Sequence, residues 1–403
     1  MNNFWNLVGF EYKKIFTKKS VPISICLAIL TTILTILLVV MGSDTLTGMS
    51  SYDTMLMDKE YELELAGRPL DAALILEASA AYREIPDDVY PYNGSKEYLQ
   101  YARPYSSVYN LINSAYANRG NAFDITDFQS ISLTDATAYY EIRETQYRAN
   151  LENNDMYSQA NVEKVIALDA EVTKPFTMQY VDGYLRFFAF STTNAFIVMF
   201  LIGFILSPLF SEEYQRGMDS LILTSKNGKR TQVLAKLVTA VSFSIAIAFI
   251  FLLIGYLLCM IVYGAEGANA QIQLHIPLIT YNFTMLEVVG LLFVTTIFGS
   301  FLMTGICVCL SSIMDKSVAV LAICVVVIIL GMVNGVALPG FEKVRYFLPS
   351  PMATYFDVIT NQFSFNVLGT QVMLYQMVCI VAAVIGSVLL LLAYRNFKRH
   401  QVS

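Results

Sequence analysis

Six long apolar runs constrain the fold of this chain more than any other feature. A hydrocarbon core about 30 Å thick requires roughly 20 apolar helical residues, and only helices or closed barrels satisfy their backbone polar groups there. A composition of 56% hydrophobic and 14% charged residues lies outside the range of ordinary soluble domains. We therefore expect an all-α polytopic membrane protein with six transmembrane helices, at about 21–41, 187–210, 233–263, 286–312, 317–338 and 372–394.

The distribution of Lys and Arg predicts the orientation of these spans. Short cytoplasmic loops are enriched in basic residues, whereas long domains cross the membrane regardless of their charge. The short loop 264–285 contains no Lys or Arg, and 339–371 contains two. Basic residues concentrate in 1–20, in 211–237 and at the C-terminus, so both termini are predicted to be cytoplasmic.

Residues 42–186 differ in composition from the rest of the chain. They hold 23 of the 32 acidic residues and 11 of the 26 basic ones, which gives this segment a net charge of −12. Its patterning is mainly helical, and at about 145 residues it is long enough to bury a core of its own. It contains none of the six cysteines, which excludes a disulfide-stapled domain. We expect an acidic, mainly helical extracellular domain inserted after the first span.

The sequence offers almost no catalytic chemistry. There are two histidines, His275 and His400, and neither a G-x-x-x-x-G-K-[ST] nor a G-x-G-x-x-G motif occurs. Ionisable side chains are missing from the middle of the spans, whereas an ion-coupled carrier usually keeps at least one there. The chain is therefore predicted not to be an enzyme, to hold no metal and to bind no ATP itself.

The segment 211–232, SEEYQRGMDSLILTSKNGKRTQ, is polar and separates two of the most apolar runs. It is too short for a domain and too charged to enter lipid, so we expect a short helix beneath the membrane that offers side chains to a cytoplasmic partner. Here the sequence resembles the permeases of type-2 ABC exporters, in which an E-E-x-x-x-G-x-x-x-x-L segment follows the second span and a basic residue precedes a G/A-K-L entry into the third. The matching residues are Glu212, Glu213, Gly217, Leu221 or Ile222, Arg230, Ala235, Lys236 and Leu237.

Two other segments carry the same resemblance, which covers about 260 of the 403 residues. Residues 1–20 have aromatic and aliphatic residues at helical spacing against lysines, like the amphipathic connecting helix that precedes the first span in this family. Residues 339–371 resemble the outer re-entrant helices with their Pro-containing break. The sequence departs from the family in the turn 225–228, where Ser-Lys-Asn-Gly stands in place of the usual Pro, and in its large outer domain.

The resemblance implies partners, a location and a mechanism. Two six-span permease subunits, identical or homologous, would pair in a bacterial cell membrane above two ABC ATPase subunits, with no nucleic acid involved. ATP and Mg would be bound by the ATPases. ATP-driven closure of the ATPases would push on the coupling segment and switch the permease between inward- and outward-open states. The residues implied in coupling are Glu212, Glu213, Arg216, Gly217, Leu221, Arg230 and Lys236.

The implied contacts of the charged coupling residues differ in sign. Glu212 and Glu213 would contact basic ATPase residues or cap the positive end of a helix, and Arg216 and Arg230 would do the converse. The alternative is an ordinary solvated loop on the basic side of the membrane. The mainly aliphatic spans favour an amphipathic peptide, a lipid or a hydrophobic drug as the exported substrate.

Three other functions stay open at this point. A mechanotransmitting ABC subunit also has a large outer domain after its first span, but such chains have four spans. A membrane-anchored receptor or scaffold would use the acidic domain to bind a ligand and would have no ATPase partner. A secondary carrier fits poorly with the lack of intramembrane charges and of paired broken helices.

Overall fold

A computed structural model describes residues 2–43, 48–86, 92–117, 123–218, 228–333 and 340–399. The chain is mainly helical. In chain order the helices are α1 (Asn2–Phe16), α2 (Ser20–Val40), α3 (Ser51–Leu65), α4 (Ala72–Tyr82), α5 (Ser106–Tyr116), α6 (Ile125–Gln129), α7 (Leu133–Thr137), α8 (Tyr139–Glu152), α9 (Gln159–Asp169), α10 (Asp182–Leu206), α11 (Pro208–Gln215), α12 (Val233–Tyr263), α13 (Met285–Ser311), α14 (Ser317–Met332), α15 (Phe341–Arg345), α16 (Tyr355–Val358) and α17 (Leu374–Arg399). One hairpin pairs β1 (Ser364–Val367) with β2 (Thr370–Met373).

Among the described residues, five helices are long and apolar enough to cross a membrane, which marks the chain as a membrane-embedded protein. They are α2, α10 continued by α11, α12, α13 and α17. The sixth predicted span, 317–338, contains α14, whose 16 residues extend about 24 Å, less than the hydrocarbon thickness of about 30 Å. Residues 334–338 of that prediction lie outside the described residues.

The long helices pack around α10. In the most apolar 18-residue stretch of α10 and α11, 72% of the residues are buried, against 17% in the corresponding stretch of α2. α10 is therefore central in the bundle and α2 is peripheral. Ser311 Oγ donates to the carbonyl of Ser207 (2.8 Å), which joins α13 to the end of α10. The backbones of α13 and α17 meet at Gly305 and Gly386, where a Cβ added to Gly305 would lie 3.0 Å from the Gly386 carbonyl oxygen. Small residues at such a crossing are typical of membrane helix packing.

The two ends of the bundle are distinct, and we name them by what they carry. The termini end carries α1, α11 and the C-terminal part of α17, where Phe210 and Phe397 pack with ring centroids 5.0 Å apart. The domain end carries a helical unit made of the described residues of 48–181. This unit has a core of its own between α4, α5, α7 and the chain before α10, with Tyr82, Phe128 and Phe176 fully buried.

A buried polar network fixes that unit to the loops at the domain end. The Arg143 guanidinium is 1% exposed, pairs with Asp169 at 2.8 Å and donates to the carbonyls of Pro277 and Ile279. Gln362 donates to the hydroxyl of Tyr147 (2.6 Å). Because these groups are buried and hydrogen-bonded across the boundary, the unit and the loops form one packed layer.

His275, in the loop between α12 and α13, belongs to an aromatic cluster in the same layer. The rings of Phe188 and Tyr355 stack with centroids 4.4 Å apart, and the His275 ring lies 5.4 Å from that of Tyr355. Its Nε2 is buried with no hydrogen-bond partner among the described residues. Burial lowers the pKa of His275 to about 4.

The segment 339–371, expected to form re-entrant helices, is only partly helical in its described residues. It contains α15, a single 3-10 turn (Pro351–Ala353) and α16, and then turns into the β1–β2 hairpin. Leu368 and Gly369 both have positive φ, 52° and 88°, as a two-residue type I′ turn requires. The mainly helical chain fits the expected all-α membrane fold, and this short hairpin is a local addition to it.

Candidate functional site

The termini end contains a set of ion pairs that joins α1 to α11 and α12. We call it the ion-pair junction; its members are Glu11, Lys14, Lys18, Glu212, Glu213 and Lys236. Pro208 occupies the first turn of α11, where a missing N–H costs nothing and the fixed φ suits a helix. The start of α11 thereby directs Glu212 and Glu213 towards α1.

Glu213 is at the centre of the junction. Its Oε1 accepts hydrogen bonds from Lys236 Nζ (2.6 Å) and Lys14 Nζ (2.8 Å). The side chains of Glu213 and Lys236 are 3% and 0% exposed. Lys236 also donates to the carbonyl of Leu209 (3.2 Å) and lies 3.4 Å from Glu11 Oε2. A buried ammonium needs this many acceptors, because water does not reach it.

The carboxyl groups of the junction affect the pKa of Lys14. Burial alone would lower this pKa, but Glu213 and then Glu11 outweigh that effect and raise it above its usual value. Two carboxyl groups face two amino groups in the buried part of the junction. Their formal charges cancel, which suits the boundary of an apolar bundle.

Glu212 makes the more exposed pairs at the edge of the junction. It contacts Lys18, in the short link between α1 and α2, and Nη2 of Arg216, the residue that caps α11, at 2.7 Å. The Arg216 side chain is 67% exposed, whereas that of Glu212 is 17% exposed. Exposed pairs of this kind contribute at most about 1 kcal/mol each.

Gly217 ends α11. Its φ is +61°, a conformation that other residues adopt only at a cost. The Gly217 N–H donates to the carbonyl of Tyr214 (3.1 Å) and the Met218 N–H to that of Glu213 (2.9 Å). These two bonds form a Schellman motif, which satisfies carbonyls left over at the helix end. The glycine of the E-E-x-x-x-G pattern thus has a local structural role.

The opposite side of α11 is fixed to the bundle. Ser311 Oγ accepts from the backbone N–H groups of Phe210 (3.0 Å) and Ser211 (3.2 Å), at the start of α11. The Tyr214 hydroxyl donates to the carbonyl of Ser312 (3.1 Å). Displacement of α11 therefore acts on α10 and α13 as well as on α1.

The structure separates the sequence-predicted coupling residues into two groups. Arg216 and Arg230 are exposed at the surface of the termini end, as is Gly217, which follows Arg216 after the end of α11. Glu213 and Lys236 are buried and cannot reach a separate protein in this conformation. Leu221, with the rest of 219–227, lies outside the described residues.

The basic partners expected for Glu213 on another subunit are thus supplied by this chain. Sequence reasoning treated Lys14 and Lys18 only as markers of orientation and did not single out Glu11. A faint signal existed, because Glu11 and Lys14 are three residues apart on one face of an amphipathic helix. Nothing local in the sequence connects that face to residues about 200 positions later.

The ion-pair junction consists of carboxyl and amino groups that pair with one another. These pairs tie α1 to α11 and α12. Comparisons of the chain with protein-family models, with curated proteins and with solved structures find no match.

Proposed function

We propose that this chain is the transmembrane permease subunit of an ATP-driven ABC exporter. The observation that supports the proposal most is the position of the 212–217 segment, which closes α10 with a short helix whose exposed end faces away from the bundle. A force applied at that end would reach α1 through the ion-pair junction and α13 through Ser311. Such a connection suits a segment that converts movement of a cytoplasmic partner into movement of membrane helices.

The contact surface for the partner is then the exposed part of the segment. Arg216 and Arg230 are exposed, and so is the Met218 side chain. These three residues, together with the 219–227 stretch between them, would seat on each ATPase. Glu212, Glu213 and Lys236 would act by positioning this surface against α1 rather than by touching the ATPase.

The complete assembly follows from the resemblance. Two permease subunits, equal or related, would pair in a bacterial plasma membrane with both termini cytoplasmic, and α14 with the residues up to 338 would provide the sixth span. Two ATPases would bind ATP and Mg below them. The exported substrate would be amphipathic or hydrophobic, because the helices present mainly aliphatic side chains.

The proposal is tested by purification of the tagged full chain from its native host in mild detergent, followed by an ATPase assay of the eluate. We expect an ATPase to co-purify with the wild type. The double charge reversal Arg216→Glu/Arg230→Glu should lose the ATPase and the activity, because both side chains are exposed and their removal leaves the fold intact.

The matched control is Arg148→Glu/Lys343→Glu, which makes the same charge change at exposed positions of the domain end. This variant should retain the ATPase. If the wild type purifies alone under conditions that preserve other membrane complexes, the exporter proposal fails. In that case the receptor or scaffold function, which requires no ATPase, becomes the better explanation.

A further inference from the structure

A cavity of about 450 Å³ lies where α2, α10 and α12 meet the helical unit at the domain end. Three carboxylates line it: Asp58 and Glu62, one turn apart on α3, and Asp182 at the start of α10. A cavity of this size is in the range of small-molecule sites, and such sites combine apolar walls with a few polar groups.

The charges around the cavity leave one carboxyl unmatched. Asp58 pairs with Arg103 at 2.8 Å, and Asp182 pairs with Arg186 at 3.1 Å. Glu62 pairs with no Lys or Arg among the described residues. The side chain is partly buried, and an acidic group so placed costs free energy unless a cation joins it.

Two further polar groups in the cavity wall are unsatisfied. Thr54 Oγ1 and Ser107 Oγ are buried and have no hydrogen-bond partner among the described residues. They come from different helices of the unit, α3 and α5, on the same cavity as Glu62. A ligand head group with several N–H donors could satisfy these oxygens together with the carboxyl.

A second, smaller cavity of about 200 Å³ continues from the first towards the membrane. The two share Val39, Arg186 and Tyr263 in their walls. The rest of the lower wall is mostly apolar, with Ile36 and Phe190 from α2 and α10. Val39 and Ala189 at its edge are exposed, so an alkyl chain in the bilayer can reach this space from the side.

We propose that the two cavities form one binding site for a cationic amphiphile that enters from the domain-side half of the bilayer. Its ammonium head lies against Glu62, and its alkyl chain lies between α2 and α10. The argument is one of complementarity: an unmatched acid above an apolar cleft fits a single positive charge attached to an apolar tail. The site belongs to this chain alone and stands whether or not an ATPase drives the protein.

The state of Glu62 gives the site a pH dependence. Burial, and after it the charges of Asp182 and Asp58, raise the pKa of Glu62 to about 8. The empty site is therefore mostly protonated at pH 7, and an ammonium group binds to the ionised form. The other charged or titratable groups around the cavity are Asp58, Arg103, Tyr180, Asp182, Arg186 and Tyr263.

The ionised fraction of Glu62 determines how strongly the affinity for an ammonium group depends on pH. The ionised fraction of a group with a pKa near 8 falls from about one half at pH 8 to about one hundredth at pH 6. A simple amine has a pKa near 10.4 and stays charged throughout that range. Affinity should then drop roughly 50-fold between pH 8 and pH 6.

The test measures binding of radiolabelled dodecylamine to the full chain in phosphatidylcholine nanodiscs, with the signal of empty nanodiscs subtracted. We expect saturable binding that unlabelled dodecylamine displaces and dodecanol, the neutral analogue with the same tail, does not. Glu62→Gln should weaken binding at pH 8 at least tenfold and remove the pH dependence. Glu64→Gln, an exposed carboxylate on the same helix, is the matched control and should bind within twofold of the wild type.

Ala189→Phe probes the tail independently, because its ring would fill the edge of the lower cavity. It should weaken dodecylamine binding while leaving the pH dependence in place. The proposal is overturned if binding does not exceed that of empty nanodiscs, if dodecanol competes equally, or if Glu62→Gln and Glu64→Gln behave alike.

Discussion

Glu213→Gln is the substitution that most directly tests how the ion-pair junction is held together. The amide keeps the size of the side chain and removes its charge, so two ammonium groups lose their shared carboxylate. Lys14 is 30% exposed and can turn towards water, but Lys236 is fully buried and cannot. Breaking a buried pair from one side costs about 3–5 kcal/mol. Because the Lys14 ammonium can be rehydrated, we expect a loss at the lower end of this range. The free energy of unfolding should fall by about 3 kcal/mol, which is roughly a 150-fold change in the unfolding equilibrium.

Glu212→Gln is the matched control. Glu212 is the neighbouring residue on α11, and its partners Lys18 and Arg216 are 32% and 67% exposed. Exposed pairs of this kind are worth at most about 1 kcal/mol. Two such pairs together contribute at most about 2 kcal/mol, so the control should be destabilised less than Glu213→Gln.

The measurement is unfolding in detergent micelles by added denaturing detergent, followed with a thiol-reactive fluorophore. Cys259, Cys307 and Cys324 are fully buried and react when the bundle opens. Equal stability of Glu213→Gln and wild type, within about 0.5 kcal/mol, would refute the reasoning, because the buried Lys236 would then keep only Glu11, 3.4 Å away, as a charged partner.

Three further predictions concern other parts of the chain. Gly217→Ala should destabilise the end of α11 by about 1–2 kcal/mol, because Gly217 has a φ of +61°. Gly9→Ala in α1 is the control and should not destabilise the protein, because a Cβ added there meets nothing within 4 Å. Thermal unfolding of both variants measures the difference. In the unfolded chain histidine takes up a proton near pH 6.5, whereas His275 in the folded chain does so only near pH 4. The free energy of unfolding should therefore fall by up to about 3 kcal/mol as the pH drops from 6.5 to 4. His275→Gln should lose that part of the pH dependence, and an unchanged pH profile of this variant would contradict the prediction. Arg143→Met should free the helical unit from the loops, seen as faster hydrogen exchange in 264–284, while Arg148→Met on the exposed side of α8 should leave exchange there unchanged.

The sequence predicts the membrane helices well because hydropathy is a local signal. α12 coincides with the predicted span 233–263, and α2 and α13 differ from theirs by one residue at each end. α10 begins earlier than expected, at Asp182, because Asp182 and Arg186 pair one turn apart and continue the helix beyond the apolar run. An average of hydropathy along the sequence does not detect such an extension, because it contains charged residues.

Other features are beyond local signals. The β1–β2 hairpin depends on positive φ angles at Leu368 and Gly369. Glycine often adopts a positive φ, but leucine rarely does, so the sequence does not predict this turn. The pairs that tie the N-terminal part of the chain into the ion-pair junction join residues 194 to 225 positions apart, and in the sequence their charges look like ordinary solvated ones. The cavity beside Glu62 exists only because the unit closes over α2 and α10.

The large separation within the ion-pair junction has a consequence for how the protein is made. α1 leaves the ribosome before the other described helices, and the Lys236 that pairs with Glu11 follows 225 residues later. At about 5–20 residues per second, Glu11 and Lys14 wait roughly 10–45 s for their partners. During that time α1 can rest at the membrane surface with its charges in water, as its amphipathic pattern allows. α1, which precedes the other described helices, is thus among the last to be fixed in place, and a nascent chain that stalls before Lys236 would expose it to quality control.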